Sequence, residues 1–176
     1  MKNYKQIITE RLILEPFSEK YLSEEYVSWL NDPELMKFSE NRHRKHSLES
    51  CRAYLQSFDN SPNFFWAVLL KENSEHIGNV NAYINEPNSI ADIGILIGKK
   101  RYHGQGYASE AWNAVINFLL KNCELRKVTA GTMAGNKPML KIMHNSGMIE
   151  DGIRKRHYLL DGREVDIIHM AKFTKN

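Results

Sequence analysis

The stretch ADIGILIGKKRYHGQGYASEAW, residues 91–112, decides the fold. Its first part alternates isoleucine with other residues, as a strand does, and Gly94 leaves one face of that strand open to a close neighbour. A basic, glycine-rich turn follows, and a helix is predicted to begin near Tyr107. Because the first N–H groups of a helix lack partners and the helix dipole is positive there, the segment predicts an anion site.

The residues after the glycines narrow the choice of anion. A P-loop needs Lys and then Ser or Thr after its second glycine, whereas Gly106 is followed by Tyr107 and Ala108. A dinucleotide-binding fold needs a third glycine where Ser109 stands and a parallel βαβ pattern, which is not found upstream. A glycine-rich connection without a ligand is an alternative, although three consecutive cations at 99–101 favour a phosphate.

The pattern Arg-x-x-Gly-x-Gly at 101–106, with ADIGILI before it and GYASEAW after it, resembles motif A of the GNAT superfamily of acetyl-CoA-dependent N-acetyltransferases. The resemblance implies acetyl-CoA as cosubstrate and direct transfer of its acetyl group to a primary amine. It also implies a mixed α+β fold with about seven strands, about four helices and a V-shaped split between the fourth and fifth strands. In that fold pantetheine pairs with the fourth strand and the pyrophosphate binds the turn. The CoA-binding residues implied are Ile95, Leu96, Ile97, Arg101, Tyr102, His103, Gly104, Gln105, Gly106, Tyr107, Ala108, Ser109, Asn136 and Met139.

Length and composition indicate one domain, residues 1–176, with a substantial core, since 42% of the residues are apolar. No apolar run approaches the ~20 residues of a membrane span, and the opening MKNYKQIITER lacks the apolar core of a signal peptide, so we expect a cytoplasmic protein. Cys51 and Cys123 have neither disulfide nor zinc spacing, and no metal site is predicted. The net charge of +3 is mild, and a small anionic ligand explains it as well as nucleic acid would. We expect neither a nucleic-acid nor a membrane partner, and either a monomer or a homodimer.

Periodicity and turn signals predict the order of the elements. The first strand, 9–16, places Leu12 and Leu14 on one face, and Ser18 and Ser47 are predicted to cap the first two helices. The other strands are predicted at 63–71, 76–84, 90–97, 127–133, 148–160 and 163–173, and the later helices at 107–122 and from Asn136 to Gly147. The strand at 127–133 is predicted to run parallel to that at 90–97, because a helix separates them.

Two other segments carry the same resemblance. Residues 9–16, TERLILEP, resemble the TERLxLRP opening of the GNAT branch that includes ribosomal-protein N-terminal acetyltransferases, with Glu15 in place of the usual arginine. Residues 136–148 resemble the GNAT element Asn-x10-Gly-Phe, with Met148 in place of phenylalanine. This resemblance implies that the Asn136 side chain contacts pantetheine.

The implied reaction needs a neutral amine, a donor for the oxyanion and a proton for the CoA thiolate. Many family members supply the acid from a tyrosine seven residues after the motif asparagine; here that position is Met143, so no general acid is assigned. Asp92 is a candidate base, because relatives reading Ala-Glu-Ile-Gly carry a glutamate there, or else it is a strand-edge carboxylate satisfied by its neighbours. A weak base suits an α-amine of pKa ~8 or an amino sugar better than a lysine of pKa ~10.4.

The acceptor is the open question. In this fold the loop between the first two helices borders the acceptor pocket, so Arg42, His43 and Arg44 are candidates for holding an anionic acceptor such as a nucleotide-linked sugar. A solvated charge run is the commoner explanation of such a segment. Asn81 and Tyr83 are further candidates, although alternating strand residues more often pack or face solvent. An N-acetyltransferase for a small amine is favoured; acetylation of a protein N-terminus and a non-catalytic acyl-CoA sensor are the alternatives.

Overall fold

The computed structural model describes residues 6–174 and combines one eight-stranded sheet with four α-helices. The strands are β1 (Ile7–Ile8), β2 (Leu12–Pro16), β3 (Phe64–Leu70), β4 (His76–Asn85), β5 (Ile90–Ile97), β6 (Lys127–Met133), β7 (Ile149–Leu160) and β8 (Arg163–Phe173). The helices are α1 (Glu24–Asn31), α2 (Leu48–Gln56), α3 (Tyr107–Asn117) and α4 (Lys137–Asn145). This confirms the predicted mixed α+β class. No helix within residues 6–174 combines the length and apolarity needed to cross a bilayer.

The strand count exceeds the predicted seven because the first strand is divided. Thr9 forms a tight turn in which its N–H donates to the Leu12 carbonyl at 3.0 Å and the Leu12 N–H donates to the Thr9 hydroxyl at 2.9 Å. The turn folds β1 back onto β2, so that Ile7 lies opposite Leu14. The predicted fourth and fifth strands are therefore β5 and β6.

Helices cover both faces of the sheet. On one face, α3 and α4 pack against buried side chains of β2 to β6, with Trp66 and Trp112 fully buried. On the other, α1 and α2 pack against Phe65, Ala67 and Leu69 of β3. We call these the α3 face and the α1 face. All seven residues of β3 are buried, which confirms that its continuous apolar run is covered on both sides.

The first helix begins later than predicted. Ser18 precedes a 3₁₀ turn, Glu19–Tyr21, and its side chain makes no capping hydrogen bond. The turn does not continue into a helix, because Leu22 is extended. Ser23 is the cap of α1 instead, with its hydroxyl accepting the Tyr26 N–H at 3.1 Å. Ser47 does cap α2, in a reciprocal pair of hydrogen bonds with Ser50.

The helix predicted at 107–122 changes geometry near its end. The α-helix stops at Asn117 and a π-helical turn, Phe118–Asn122, follows, closed by the Cys123 N–H on the Phe118 carbonyl at 3.1 Å. This turn brings the Phe118 ring edge-on to Phe64 and Trp66, at centroid distances of 5.7 and 5.8 Å. Aromatic packing at the core accompanies the wider turn.

The sheet is split along its parallel pair. β5 and β6 are paired at three positions in the described chain, Ile90 with Lys127, Ala91 with Val128 and Asp92 with Thr129. Beyond them β5 stays paired with β4 up to Ile97, and β6 stays paired with β8 up to Met133. The two strands therefore diverge and leave a V-shaped gap with an unpaired edge on each side, as predicted.

Candidate active site

The glycine turn between β5 and α3 presents backbone N–H groups. Gly104 and Gly106 have φ of 74° and 85°, and Gly106 is the N-terminal cap of α3. The first helical bond runs from the Glu110 N–H to the Gly106 carbonyl at 3.0 Å, so the amides just before Glu110 lie outside the helical ladder. A Cβ on Gly104 would meet no atom within 4 Å, so this glycine serves the backbone path and not tight packing.

The three cations before the turn are engaged by carboxylates. Lys99 pairs with Glu25 at 2.8 Å and Glu75 at 2.7 Å, and Arg101 also pairs with Glu75. Lys100 pairs with Asp32 at 2.9 Å. All three cations are therefore held in ion pairs, and the amides and the helix dipole supply the part of the attraction for an anion that does not depend on these side chains.

Glu75 is the centre of this charge cluster. Hydrogen bonds from Arg101, then from Lys99 and from the Tyr102 hydroxyl at 2.6 Å, lower the pKa of Glu75 to about 2. Glu75 precedes β4, whereas its partners follow β5. The cluster thus fixes the start of the turn to the neighbouring strand.

The other polar side chains of the turn bond within the protein. His103 Nε2 lies 2.7 Å from the Ile97 carbonyl, and Gln105 Nε2 donates to the Arg101 carbonyl at 2.6 Å. Tyr107 packs edge-on to Tyr102 at a centroid distance of 5.7 Å. These contacts shape the turn and leave its backbone to face a ligand.

An anchor that the sequence analysis missed holds the turn from the N-terminal side. The Arg11 Nε donates to Glu110 Oε2 at 2.7 Å, and Thr9 Oγ1 donates to Glu110 Oε1 at 2.6 Å. Arg11 also donates to the Gln105 carbonyl at 3.0 Å, and its guanidinium lies 4.3 Å from the centre of the Tyr107 ring. The Thr-Glu-Arg opening therefore secures α3 and the glycine turn together.

Asp92 lies at the apex of the V. It is paired with Thr129 across the last rung before the strands diverge, and Thr129 Oγ1 donates to Asp92 Oδ2 at 2.7 Å. Burial raises the pKa of the Asp92 carboxyl, while the Thr129 hydrogen bond and the nearby charge of His169 oppose that rise. Asp92 is exposed at this point of the gap, so its carboxylate is accessible to a cationic amine.

Asn81 and Tyr83 lie beside Asp92 on the α1 face. Tyr83 is opposite Asp92 and Asn81 is opposite Gly94 in the β4–β5 ladder. The Tyr83 hydroxyl lies 2.8 Å from the Tyr54 hydroxyl on α2. The fold thus brings three of the predicted side chains together next to the gap.

Asn136 stands at the other side of the gap, where β6 leads into α4. Its Oδ1 accepts the Met139 N–H at 3.3 Å as the helix cap, and its Nδ2 donates to Thr132 Oγ1 at 3.0 Å. Met143 is fully buried and offers no proton. The amide of Asn136 is occupied within the protein, with lone-pair and donor capacity left over for a ligand.

The cationic segment 42–45 lines a cleft of about 840 Å³ between the end of α1 and the β7–β8 hairpin tip. Arg42 donates to the Leu159 carbonyl of that hairpin at 2.9 Å and to the Ser39 carbonyl at 2.9 Å. His43 and Arg44 are exposed. Arg42 therefore acts as a tether, which sequence patterning did not indicate, and Arg44 remains a candidate for contact with an acceptor.

A sheet that opens beyond one short parallel ladder, beside a turn of unengaged amides, defines the class of acyl-CoA-dependent acyltransferases. Within residues 6–174 no three His, Cys, Asp or Glu side chains are grouped so that they could hold a metal ion. A family model described as acetyltransferase (GNAT) domain matches residues 11–149. The chain belongs to the GNAT family and is an N-acetyltransferase.

Known proteins resemble the chain over nearly its whole length. The uncharacterized N-acetyltransferase p20 of Bacillus licheniformis is 26% identical over 167 residues, covering 92% of each chain. RimL, a ribosomal alpha-N-protein acetyltransferase solved with coenzyme A, has a TM-score of 0.84 at 16% identity and covers 97% of this chain and 98% of its own. Spermidine N-acetyltransferase from Vibrio cholerae, solved with CoA and spermine, has a TM-score of 0.83 at 19% identity, covering 94% and 97%. These two structures share the fold and act on different acceptors.

Proposed function

We propose that the protein transfers the acetyl group of acetyl-CoA directly to the primary amine of a small molecule. The observation that carries this proposal is the V-shaped gap between β5 and β6, which ends beside the amide-lined turn before α3. Both cysteines are thiols, in keeping with a reducing compartment, and we place the reaction in the cytoplasm.

Pantetheine enters the gap as a substitute strand. The backbone of Ile95, Leu96 and Ile97 pairs with its amides, since this edge of β5 has lost its partner β6. The pyrophosphate is held by the amides from Gly104 to Ser109, with Gly104 and Gly106 allowing close approach, whereas the His103 N–H already donates to the Lys100 carbonyl at 3.0 Å. The thioester then lies near Gly94, close to the apex at Asp92.

The chemistry takes place between the thioester and an amine arriving on the α1 face. The neutral amine attacks the thioester carbonyl and forms a C–N bond and an oxyanion. Collapse breaks the C–S bond, and the CoA thiolate takes a proton from the newly bonded nitrogen. Asp92 binds the incoming ammonium and is the candidate group for accepting its first proton.

The cleft next to the segment 42–45 favours a small acceptor that carries an anionic group. Its wall includes the cations Lys37, Arg44 and Lys45 and two carboxylates, Asp161 and Asp32, of which Asp32 is already paired with Lys100. An amino sugar on a nucleotide carrier fits that charge pattern. A protein N-terminus is the alternative acceptor, since the fold is shared with RimL.

An acceptor screen tests the function. Purified protein with acetyl-CoA is offered a nucleotide-linked amino sugar, the free sugar, spermidine and short peptides, and thiol release is followed with mass detection of the acetylated product. Turnover of a small amine supports the proposal. Peptide turnover alone favours N-terminal acetylation, and tight CoA binding without any turnover favours a sensor.

A pair of variants tests the anionic contact. Arg44→Ala is expected to raise KM for the nucleotide-linked sugar several-fold at unchanged CoA affinity, because one exposed cation near the phosphates is lost. Lys121→Ala removes a cation from the end of the α3 region and is the matched control. Equal kinetics in both variants would count against the cationic acceptor site.

A further inference from the structure

Both strands that border the V carry a glycine just beyond their last pairing. Gly94 follows Asp92 by two residues on β5, and Gly131 follows Thr129 by two residues on β6. Alternate residues of a strand share a face, so both glycines lie on the α1 face with Asp92 and Thr129. The two strands that flank the gap therefore have no side chain of their own at these two positions, on the face where the acceptor enters.

A polar side chain from the next strand outward lies over each glycine. Asn81 Oδ1 is 2.8 Å from the position that a Cβ of Gly94 would occupy. The Cε1 and Nδ1 atoms of His169 are both 3.0 Å from the corresponding position on Gly131. An amide from β4 and an imidazole from β8 thus lean towards the gap from opposite sides.

The imidazole has an unmet hydrogen bond. His169 Nε2 is buried and has no hydrogen-bond partner in the described part of the chain. Asn79 Oδ1, on the same face of β4 as Asn81, is likewise buried and without a partner there. Buried polar atoms in folded proteins are nearly always paired, so such atoms beside a gap indicate a ligand or ordered water. The strand registers place the two groups close to the same point, since Asp92 is paired with Thr129 and His169 is paired with Gly131, two residues further along β6.

We propose that His169 is a catalytic residue that accepts a proton from the ammonium group of the acceptor amine. This inference rests on the proposed N-acetyltransferase function and divides the two tasks given above to Asp92. Asp92, with its negative charge, draws the ammonium to the apex. His169 takes one proton on its imidazole, whose Nδ1 and Cε1 edge lies over Gly131, and this leaves the nitrogen lone pair of the amine free to attack.

The step is balanced in protons and bonds. The ammonium N–H bond breaks, its proton moves to the imidazole, and its electron pair forms the C–N bond with the thioester carbon. The second proton goes to the CoA thiolate when the C–S bond breaks, and imidazolium returns its proton to solvent. Histidine is the side chain that most often serves as a general base in such proton transfers.

The test compares His169→Gln with His157→Gln, which removes an exposed histidine of β7. The probe is the small amine with the highest turnover in the acceptor screen. For His169→Gln we expect a fall of about 100-fold in kcat at unchanged KM for acetyl-CoA, as for loss of a general base. His157→Gln is expected to match the wild type. A value of kcat within twofold of wild type for His169→Gln overturns the proposal.

Two further measurements separate proton transfer from packing. In His169→Ala, added imidazole is expected to restore part of kcat, which a purely structural defect would not permit. In the wild-type protein bound to CoA, the His169 Cε1–H resonance is expected to shift when the same amine is added, and this needs no variant to fold. No rescue and no shift would refute the role of His169. Absence of turnover with every amine in the wild type would instead refute the proposed function.

Discussion

Asp92 shows how one residue receives its role from its place in a ladder. It is the last β5 residue paired to β6, so its side chain stands where the strands diverge. The Thr129 hydroxyl fixes one carboxylate oxygen at 2.7 Å. Burial of the carboxyl by its neighbours raises its pKa, and the hydrogen bond from Thr129 opposes that rise, although the residue as a whole is exposed to solvent at the gap.

The variant Asp92→Asn tests the role of this charge. The amide keeps the shape of the carboxylate but loses the charge, so we expect kcat/KM for the amine to fall by about 10- to 100-fold. The melting temperature is expected to stay close to that of the wild type, because Asp92 is exposed and an amide oxygen can still accept the Thr129 hydrogen bond. Steady-state kinetics and thermal melts measure both quantities.

The control for Asp92→Asn is Asp59→Asn, an exposed aspartate after α2. It is expected to leave kinetics and melting temperature unchanged. Normal amine kinetics in Asp92→Asn would return Asp92 to the role of a structural carboxylate at a strand edge.

At the scale of elements, the turn between β5 and α3 depends on backbone conformation. Gly104 and Gly106 hold φ of 74° and 85°, in the left-handed region that side chains with a Cβ adopt reluctantly. The Arg11 and Glu110 pair then holds the turn against β2 at 2.7 Å. Together these features fix the backbone path of the turn before α3.

Gly104→Val is expected to weaken CoA binding by at least about 10-fold, because the new side chain stands between the amides and the diphosphate. Gly162→Val is the matched control, since Gly162 has a φ of 75° and open space around it, in the β7–β8 turn. Both variants carry the same backbone strain, and CoA affinity is expected to fall only in the first. Calorimetric titration giving equal affinities would contradict the phosphate assignment.

Local patterns were enough to predict the element order and the glycine turn, and the split was implied by the resemblance to the GNAT family. Alternating apolar residues predicted β5, a continuous apolar run predicted β3, and the intervening helix predicted that β6 runs parallel to β5. They were not enough where partners are distant in sequence. Arg11 and Glu110 are 99 residues apart, and the carboxylates that neutralise residues 99–101 come from α1, the turn after it and the start of β4.

His169 illustrates the same limit within the site. Its neighbour Gly131 lies on another strand, and only the β6–β8 register places the imidazole over that glycine. The prediction of the α1 cap was wrong for a local reason. Ser18 and Ser23 are both suitable cap residues, and the extended conformation of Leu22 makes the helix begin after Ser23.

For the molecule as a whole, acid sensitivity is expected to originate at His76. The ring packs among Tyr21, Tyr26 and Trp29 on the α1 face, and its Nε2 lies 2.9 Å from the Gly78 carbonyl. Burial lowers the pKa of His76 to about 4. In the unfolded chain His76 has a pKa near 6.5 and therefore binds a proton at pH values where it stays neutral in the folded chain.

The free energy of unfolding is thus expected to fall with decreasing pH between about 6.5 and 4, with a slope of up to ~1.4 kcal/mol per pH unit from this group. Glu75, with its pKa of about 2, adds its loss only below about 4.5, where the unfolded carboxyl begins to be protonated. Urea unfolding at pH 7, 6 and 5 measures the slope. His76→Phe is expected to flatten the slope of the unfolding free energy against pH. His144→Gln, which changes an exposed histidine, is the control and is expected to leave the slope unchanged. An unchanged slope in His76→Phe would show that another group is responsible.

The split also has a consequence for how the protein behaves at high concentration. The inner borders of β5 and β6 at 93–97 and 130–133 are open strand edges, and such edges recruit strands from other molecules. A bound thioester would shield them as well as stabilise the native state by mass action. We therefore expect the supply of coenzyme in the cell to govern both how fast this enzyme works and how long it escapes aggregation.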